Sequence, residues 1–331
     1  MTPQRPTIRD VALAAGVSSA TVSRVINGAS SVDRELTRRV RAAVRATGYV
    51  PNAAGRSLRQ RRSTQIAVVT PDAENPYFMQ LVGEVEKVAR GNGYSVLLAH
   101  SDEDVAVEAE IIAQLLGRQV AGVIAVVVDE ERSQIGALLE ARIPVVLVDR
   151  RLRGVPVDCI TTDNVDAGSQ AADHLYGRGY RRPACIAGPA TLRPTEDRMV
   201  GFVRGWAERG IEVTVARGDL HIDSGRTVMR ELLHDGGPDC VYVTNNRMSA
   251  GAFEAIRADD RSVGLLATDD DLWARLVTPT VSVVEQPFRT TGRRAARLLA
   301  ARIADPEDSP SVTLLRPTVI ARESTAGPAT T

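Results

Sequence analysis

The residues of this 331-residue chain that could do chemistry fall into two groups. The first is Arg24, set among the short side chains of Ser18, Ser19, Ala20, Thr21, Ser23 and Asn27, between Gly16 and Gly28. A helix with so low an outer face can lie close in a DNA groove. An arginine there offers two donors to O6 and N7 of guanine, the commonest specific base contact. The second group is a set of carboxylates and arginines that follow apolar runs: Asp72 after IAVVTP, Asp149 and Arg150 after PVVLV, Asp163 after CITT. Acceptors interspersed with one or two cations suit a hydroxyl-rich small molecule. Enzymatic chemistry finds no geometry here. The chain has no GxGxxG, GxxxxGK[ST] or GxSxG, and His100, His174, His221 and His234 are scattered without metal-ligand spacing. Cys159, Cys185 and Cys240 form no CxxC pair and read as buried free thiols, and Asp269-Asp270-Asp271 reads as a loop or helix start before it reads as a cation site. The expectation is no catalytic residue, no metal, no cofactor, and no enzyme.

These residues need elements to hold them. Thr7 can cap a first helix in which Ile8, Val11, Ala12 and Ala15 make one apolar face, and Gly16 ends it. Ser18 can cap a second helix with Val22, Val25 and Ile26 turned inward; a third runs from a cap at Asp33 to Thr47 and stops at Gly48. Three helices in some fifty residues give a thin core that usually gains from a partner. Charge follows the same division. The chain is formally neutral, yet residues 1–62 carry twelve arginines against Asp10, Asp33 and Glu35, so the head stands at +9 and the remainder at −9. A basic head on an acidic body points to a polyanion partner for the head.

In residues 49–63, YVPNAAGRSLRQRRS, Pro51 forbids continuation of the third helix and Asn52 can cap a new short one. Gly55 costs it about 1 kcal/mol relative to alanine, and so few residues do not hold a helix alone in water. The expectation is a segment disordered until it binds. Leu58 among Arg56, Arg59, Arg61 and Arg62 fits an apolar wedge with phosphate clamps around it; an ordinary linker is the alternative.

The stretches DVALAAGVSSATVSRVING and YVPNAAGRSL closely resemble the lactose/galactose repressor (LacI/GalR) family of bacterial transcription factors. The resemblance implies that the second helix reads the major groove and that paired hinge helices push a leucine each into the minor groove. By match to the motif, Ser19, Ala20 and Arg24 are the base-reading positions and Leu58 the wedge, with Thr7, Ser18, Thr21, Ser23, Asn27, Asn52 and Arg56 completing the DNA-facing set.

From Gln65 the pattern becomes apolar strands separated by stretches of helical period: strands at 66–71, 94–101, 122–128, 144–149 and 159–163, helices at 77–91, 105–118 and 131–141. A second set follows, with strands at 183–188, 212–217, 240–244, 263–268, 280–286 and 312–320 and helices at 165–178, 197–209, 223–235, 247–258 and 290–303. The expected fold is an all-α helix-turn-helix head plus an α/β body of two doubly wound parallel-sheet subdomains, which the resemblance makes periplasmic-binding-protein type. The expected boundaries are 1–50 for the head, 51–63 for the hinge, 64–161 with 287–314 and 162–286 with 315–323 for the subdomains, and 324–331 as a disordered tail.

In such folds the ligand sits outside the carboxyl ends of the strands, where loops of both subdomains meet. The loop after the first strand supplies Asp72, Asn75, Tyr77 and Phe78, and the 144–149 strand ends at Asp149 and Arg150. By match to the family, the second subdomain supplies Asp163, Arg198, Leu220, Asn245, Asp269 and Gln286. Leu220 replaces the large aromatic of many members, ATDD (267–270) replaces GFDD or GYDD, and TNNR (244–247) replaces an asparagine followed by aspartate, departures that point to an unusual or weakly bound ligand. His221 is weighed as a replacement contact. The resulting expectation is a dimeric or tetrameric regulator that binds a pseudo-palindromic operator and is switched by a sugar-like effector, alternatively a purine or nucleoside. With no export signal and no membrane-spanning run, a cytoplasmic location is expected. The rival reading is a cytoplasmic solute-binding sensor of the same fold without specific operator binding, and the first 62 residues separate the two.

Overall fold

The computed structural model describes residues 6–26, 32–49, 63–234, 237–306 and 309–328, in two compact units divided after Arg62.

The head contains α1 (Ile8–Ala15), α2 (Ser19–Ile26) and α3 (Arg34–Thr47). Asp10 Oδ2 accepts from Thr7 N at 2.7 Å and from its hydroxyl at 2.8 Å; Ser18 Oγ accepts from Thr21 N at 3.1 Å, and Asp33 accepts from the amides of Glu35 and Leu36. Each cap satisfies amide donors that the first helical turn leaves open. Val11, Ala12, Ala15, Val22, Val25, Val40 and Ala43 form the small core, with Val17 packed on it from the turn.

The body holds two six-stranded sheets. The first comprises β1 (Gln65–Thr70), β2 (Ser95–His100), β3 (Gly122–Ala125), β4 (Val145–Val148), β5 (Asp158–Thr162) and β11 (Val312–Leu315), in the order β11-β5-β4-β3-β1-β2 and parallel throughout. Its strands are apolar on both faces because both are covered. Ile66 and Val68 face α4 (Pro76–Gly91) and α12 (Phe288–Ala304), while Ala67 and Val69 face α5 (Val105–Arg118) and α6 (Gly136–Glu140).

The second sheet comprises β6 (Pro183–Ala187), β7 (Thr214–Arg217), β8 (Cys240–Val243), β9 (Gly264–Thr268), β10 (Ser282–Glu285) and β12 (Thr318–Ile320), in the order β12-β10-β9-β8-β6-β7. On one face lie α7 (Asn164–Gly177) and α8 (Arg193–Ala207), with Phe202 and Trp206 fully buried; on the other lie α9 (Ile222–His234) and α10 (Asn246–Arg257). A short α11 (Leu272–Leu276) follows β9. The three cysteines are buried in strands, and burial pushes their thiols up, Cys159 to about 12.

Four features differ from the sequence pattern. The single strand expected over 312–320 is two: Leu315 pairs with Thr162 in the first sheet, Pro317 interrupts, and Thr318 pairs with Glu285 in the second. Proline cannot donate to a ladder, so the chain changes sheets there. The second piece, β12, is antiparallel to β10, so the second sheet is not wholly parallel. The helix expected over 131–141 shrinks to α6 because Asp129 folds residues 129–133 into a turn, accepting from the amides of Glu131 and Arg132. Residues 324–328, expected as tail, pack on the second sheet. Thr325 is fully buried and its Oγ1 lies 2.7 Å from both Ser282 Oγ and His174 Nε2, while Ser324 Oγ donates to Leu265 O at 2.6 Å.

Candidate functional site

In the head, the turn between α1 and α2 is closed by Gly16 at φ 61°, whose amide donates to Leu13 O while Val17 N reaches back to Ala12 O. A side chain at 16 would be strained by that φ and would also meet Arg39 Nη2 at 2.8 Å. Arg39 in turn donates from Nη2 to Ala15 O at 2.6 Å and ties α3 to the end of α1. This arginine of the basic head is therefore committed to holding the two helices at their angle. On α2, Val22 and Val25 face the core; Ala20 and Arg24 are exposed, and Ser19, Thr21 and Ser23 are half-buried. Ser18 and Thr21 are coupled at the cap, their hydroxyls 2.9 Å apart. Thr7 is exposed at the cap of α1. Asn27, Asn52, Arg56 and Leu58 lie outside the described residues.

In the body, a cleft of about 810 Å³ is bounded by loops of both subdomains. Asp149 follows β4 and Asp269 follows β9, and the two positions are equivalents in the two sheets. Each has φ above +60°, and each donates its amide to the next strand, Asp149 to Ile160 O and Asp269 to Val284 O, at 3.0 Å. A left-handed backbone at a residue with a side chain is uncommon and costs on the order of 1 kcal/mol, a strain that clusters at functional sites. Arg198, on α8 and 5% exposed, faces both carboxylates; it donates from Nε to Asn164 Oδ1 and from Nη1 to Thr244 O, both at 2.8 Å.

One guanidinium does not neutralise two enclosed carboxylates. Burial raises Asp149 against the pull of Arg198 and Arg150, and raises Asp269 to about 7 despite Arg198 and the Gln286 amide, with Asp271 and Asp149 adding repulsion. Gln286 Nε2 donates to both oxygens of Asp269, at 3.0 and 3.2 Å, while its buried Oε1 has no hydrogen-bond partner among the described residues. Tyr77 and Phe78 meet edge to face beside them, and burial pushes the Tyr77 hydroxyl far above its ordinary range. Asn245 caps α10 through Met248 N and also lines the cleft, as does Leu220 at φ 76°. This floor is richer in acceptors than in donors.

Residues 63–318 match the family model described as periplasmic binding proteins and sugar binding domain of LacI family, and residues 7–52 match that of bacterial regulatory proteins, lacI family. The chain belongs to the LacI family of ligand-responsive, DNA-binding transcriptional regulators. It is 33% identical to the transcriptional regulator CelR of Thermobifida fusca over 97% of this chain and 98% of that one. Among solved structures it is similar to a CelR–cellobiose complex (31% identity, TM-score 0.73, 97% and 100% coverage) and to a lac repressor dimer bound to operator and the anti-inducer ONPF (26% identity, TM-score 0.87, 97% and 99%). Among the described residues no helix is long and apolar enough to cross a membrane.

Within this LacI-family body, the residues marked from the sequence do not all meet. Asp72, Asn75, Tyr77, Phe78, Asp149, Arg150, Arg198, Leu220, Asn245, Asp269 and Gln286 line the cleft. Asp163 does not: it caps α7 by accepting from Asp166 N and lines an adjoining hollow of about 370 Å³ that meets the cleft at Asp149 and Pro194. Two others at the cleft are held by protein partners. Arg150 is gripped by Glu103 through two bonds of 2.6 and 2.7 Å and donates to the carbonyls of Val127 and Val128. Both oxygens of Asp72 are engaged, one by Glu74 N and one by Arg247.

The sequence pattern gave no sign of Glu103, which sits in a tight turn with Asp102, both at positive φ. Arg247 was visible only as a departure from the family pattern. Two pairs of glycines were also missed. A Cβ at Gly168 would lie 1.9 Å from Arg198 O and one at Gly201 2.0 Å from Val165 O; Gly225 and Gly251 play the same part where α9 crosses α10. Gly168 and Gly201 let α7 and α8 approach closely enough for Arg198 to reach Asn164. Glycine within each of four amphipathic stretches was the available signal.

Proposed function

We propose that this LacI-family chain is a repressor that binds a pseudo-palindromic operator as a dimer and is switched by a sugar or sugar derivative held between Asp149, Arg198 and Asp269. The observation that carries this reading is the buried Arg198 facing one carboxylate from each subdomain. A ligand whose hydroxyls bridge Asp149 and Asp269 binds both walls at once, so its differential contacts favour the closed arrangement. Unpartnered Gln286 Oε1 adds a further acceptor, and the two arginine bonds to Asn164 and Thr244 keep the guanidinium oriented before the ligand arrives.

The same composition favours a hydroxylated ring over a purine. Among the described residues, Tyr77 and Phe78 are the only six-membered aromatic rings lining the cleft, beside the imidazoles of His100 and His221, and they pack on each other edge to face; Leu220 on the opposite wall has no π-face to stack. The similarity to a regulator solved with cellobiose supports the same choice. Exposed Leu272 and Leu276 on α11, and Leu98 on the edge strand β2, supply apolar surface for a second copy. The protein would act in the cytoplasm, where operator DNA is.

In the head, Arg24 is the residue assigned to base reading, with Ser19 and Ala20 allowing close approach and Asn52, Arg56 and Leu58 assigned to the hinge. The test has two arms. A thermal-shift screen of sugars, polyols, nucleosides and purines should give hits among sugars that vanish in Arg198→Ala. On DNA selected from a random pool by the full-length protein, Arg24→Ala should weaken binding by roughly 1–3 kcal/mol and leave random DNA nearly unaffected. Equal losses on selected and random DNA would remove Arg24 from base reading. Hits confined to purines would overturn the sugar assignment.

A further inference from the structure

The cleft is bridged at its rim by contacts that need no ligand. Arg247, at the start of α10 in the second subdomain, reaches the loop after β1 in the first: Nη1 donates to Asp72 Oδ2 at 3.0 Å and Nη2 to Glu74 Oε2 at 2.8 Å. Its side chain is only 17% exposed, so the bridge is partly shielded from water. Beside it, Asn246 is buried and donates from Nδ2 to Asn75 Oδ1 at 2.8 Å and to Asp271 Oδ2 at 3.2 Å. Asn75 Oδ1 also accepts from Tyr77 N, and Asp72 Oδ1 from Glu74 N, so the receiving loop is itself held in shape.

We propose that Arg247 and Asn246 form a strap that holds the two subdomains together before any effector arrives. The residue types are suited to it. An aspartate at 246, which the family resemblance leads one to expect, has no proton for Asn75 Oδ1 when ionised and would set a carboxylate against Asp271. Asparagine supplies the donor, and arginine at 247 supplies a fork that takes one carboxylate on each nitrogen. The closed state then costs no ligand contact to reach. An effector enters past an opened strap and acts on an equilibrium already biased toward closure. Because both ion pairs border solvent, salt loosens them.

The test uses the full-length chain with spin labels at Glu131→Cys and Asp223→Cys, two exposed positions on opposite subdomains, the native thiols being buried. Without effector and at low salt, electron–electron resonance should give one narrow distance. Arg247→Glu should lengthen and broaden it, the ratio of closed to open falling on the order of tenfold or more. Adding Asp72→Arg and Glu74→Arg to that variant should restore the short distance, a rescue that damage to α10 would not allow. A wild-type distribution already broad, or one unchanged by Arg247→Glu, overturns the strap. This concerns the cleft proposed above as the effector site, but no effector enters the test, so its failure leaves that assignment standing.

Discussion

Replacing Gly168 by alanine should separate the packing of the second subdomain from the helix propensity of its parts. In an unencumbered helix the change gains about 1 kcal/mol. Here the new Cβ would stand 1.9 Å from Arg198 O and 2.5 Å from Phe202 N, where ordinary contact begins at 3.4 Å, so α7 and α8 must part by about 1.5 Å. The obstacles are backbone atoms, which cannot rotate away. Overpacking of this kind costs about 1–3 kcal/mol. The same separation stretches the 2.8 Å bond between Arg198 Nε and Asn164 Oδ1 beyond hydrogen-bonding range, leaving a buried donor unsatisfied at about 1–3 kcal/mol more. The net expectation is a loss of about 3 kcal/mol, read as a lower urea midpoint, together with loss of any sugar-induced thermal shift that depends on Arg198. Gly83→Ala in α4 is the control: nothing lies within 4 Å of its Cβ, so it should be neutral or stabilising. If Gly168→Ala and Gly83→Ala behave alike, within about 0.5 kcal/mol, the close crossing does not position Arg198 and the reasoning fails.

Asp269 should give the body an inverted pH dependence. Its pKa rises from 3.8 unfolded to about 7 folded, so the folded state holds the proton more tightly; this stability is present below about pH 4 and is lost as pH climbs through 7. A fully dry site would make the swing about 4 kcal/mol, and since the carboxylate borders the open cleft about half of that is expected. Asp269→Asn should flatten the slope between about pH 4 and 7, and an unaltered slope in urea titrations would place the proton elsewhere. In the head, Arg39→Ala removes the tie to Ala15 O and should cost about 1 kcal/mol, seen as faster hydrogen exchange at Gly16 and Val17; unchanged exchange would mean the tie is idle.

Much of the fold was legible because it is written in short-range terms. Caps at Thr7, Ser18 and Asp33, stops at Gly16 and Gly48, and apolar runs of four to six residues each depend on neighbours a few positions away. Positions at the ends of strands were legible too, since parallel α/β topology carries them to one edge of each sheet; Asp149 was named on that ground, and Asp269 by match to the family. For residues 324–328 a distant partner decided: Thr325 meets Ser282 and His174 across 43 and 151 residues. Asp163 is held locally instead, accepting from Asp166 N at the cap of α7.

The sequence by itself determined the helical head, the alternation of strand and helix in the body, and the family to which both belong, because periodicity, caps and motif spacing are local properties of the chain. Only the tertiary structure decided that Arg150 answers Glu103, that Arg247 reaches Asp72 and Glu74 across the cleft, and that Gly168 and Gly201 let α7 and α8 touch. Each of those is a choice among many chemically equivalent partners, and proximity between residues far apart in the chain, 175 residues for Arg247 and Asp72, is set by packing, which no single stretch of sequence contains.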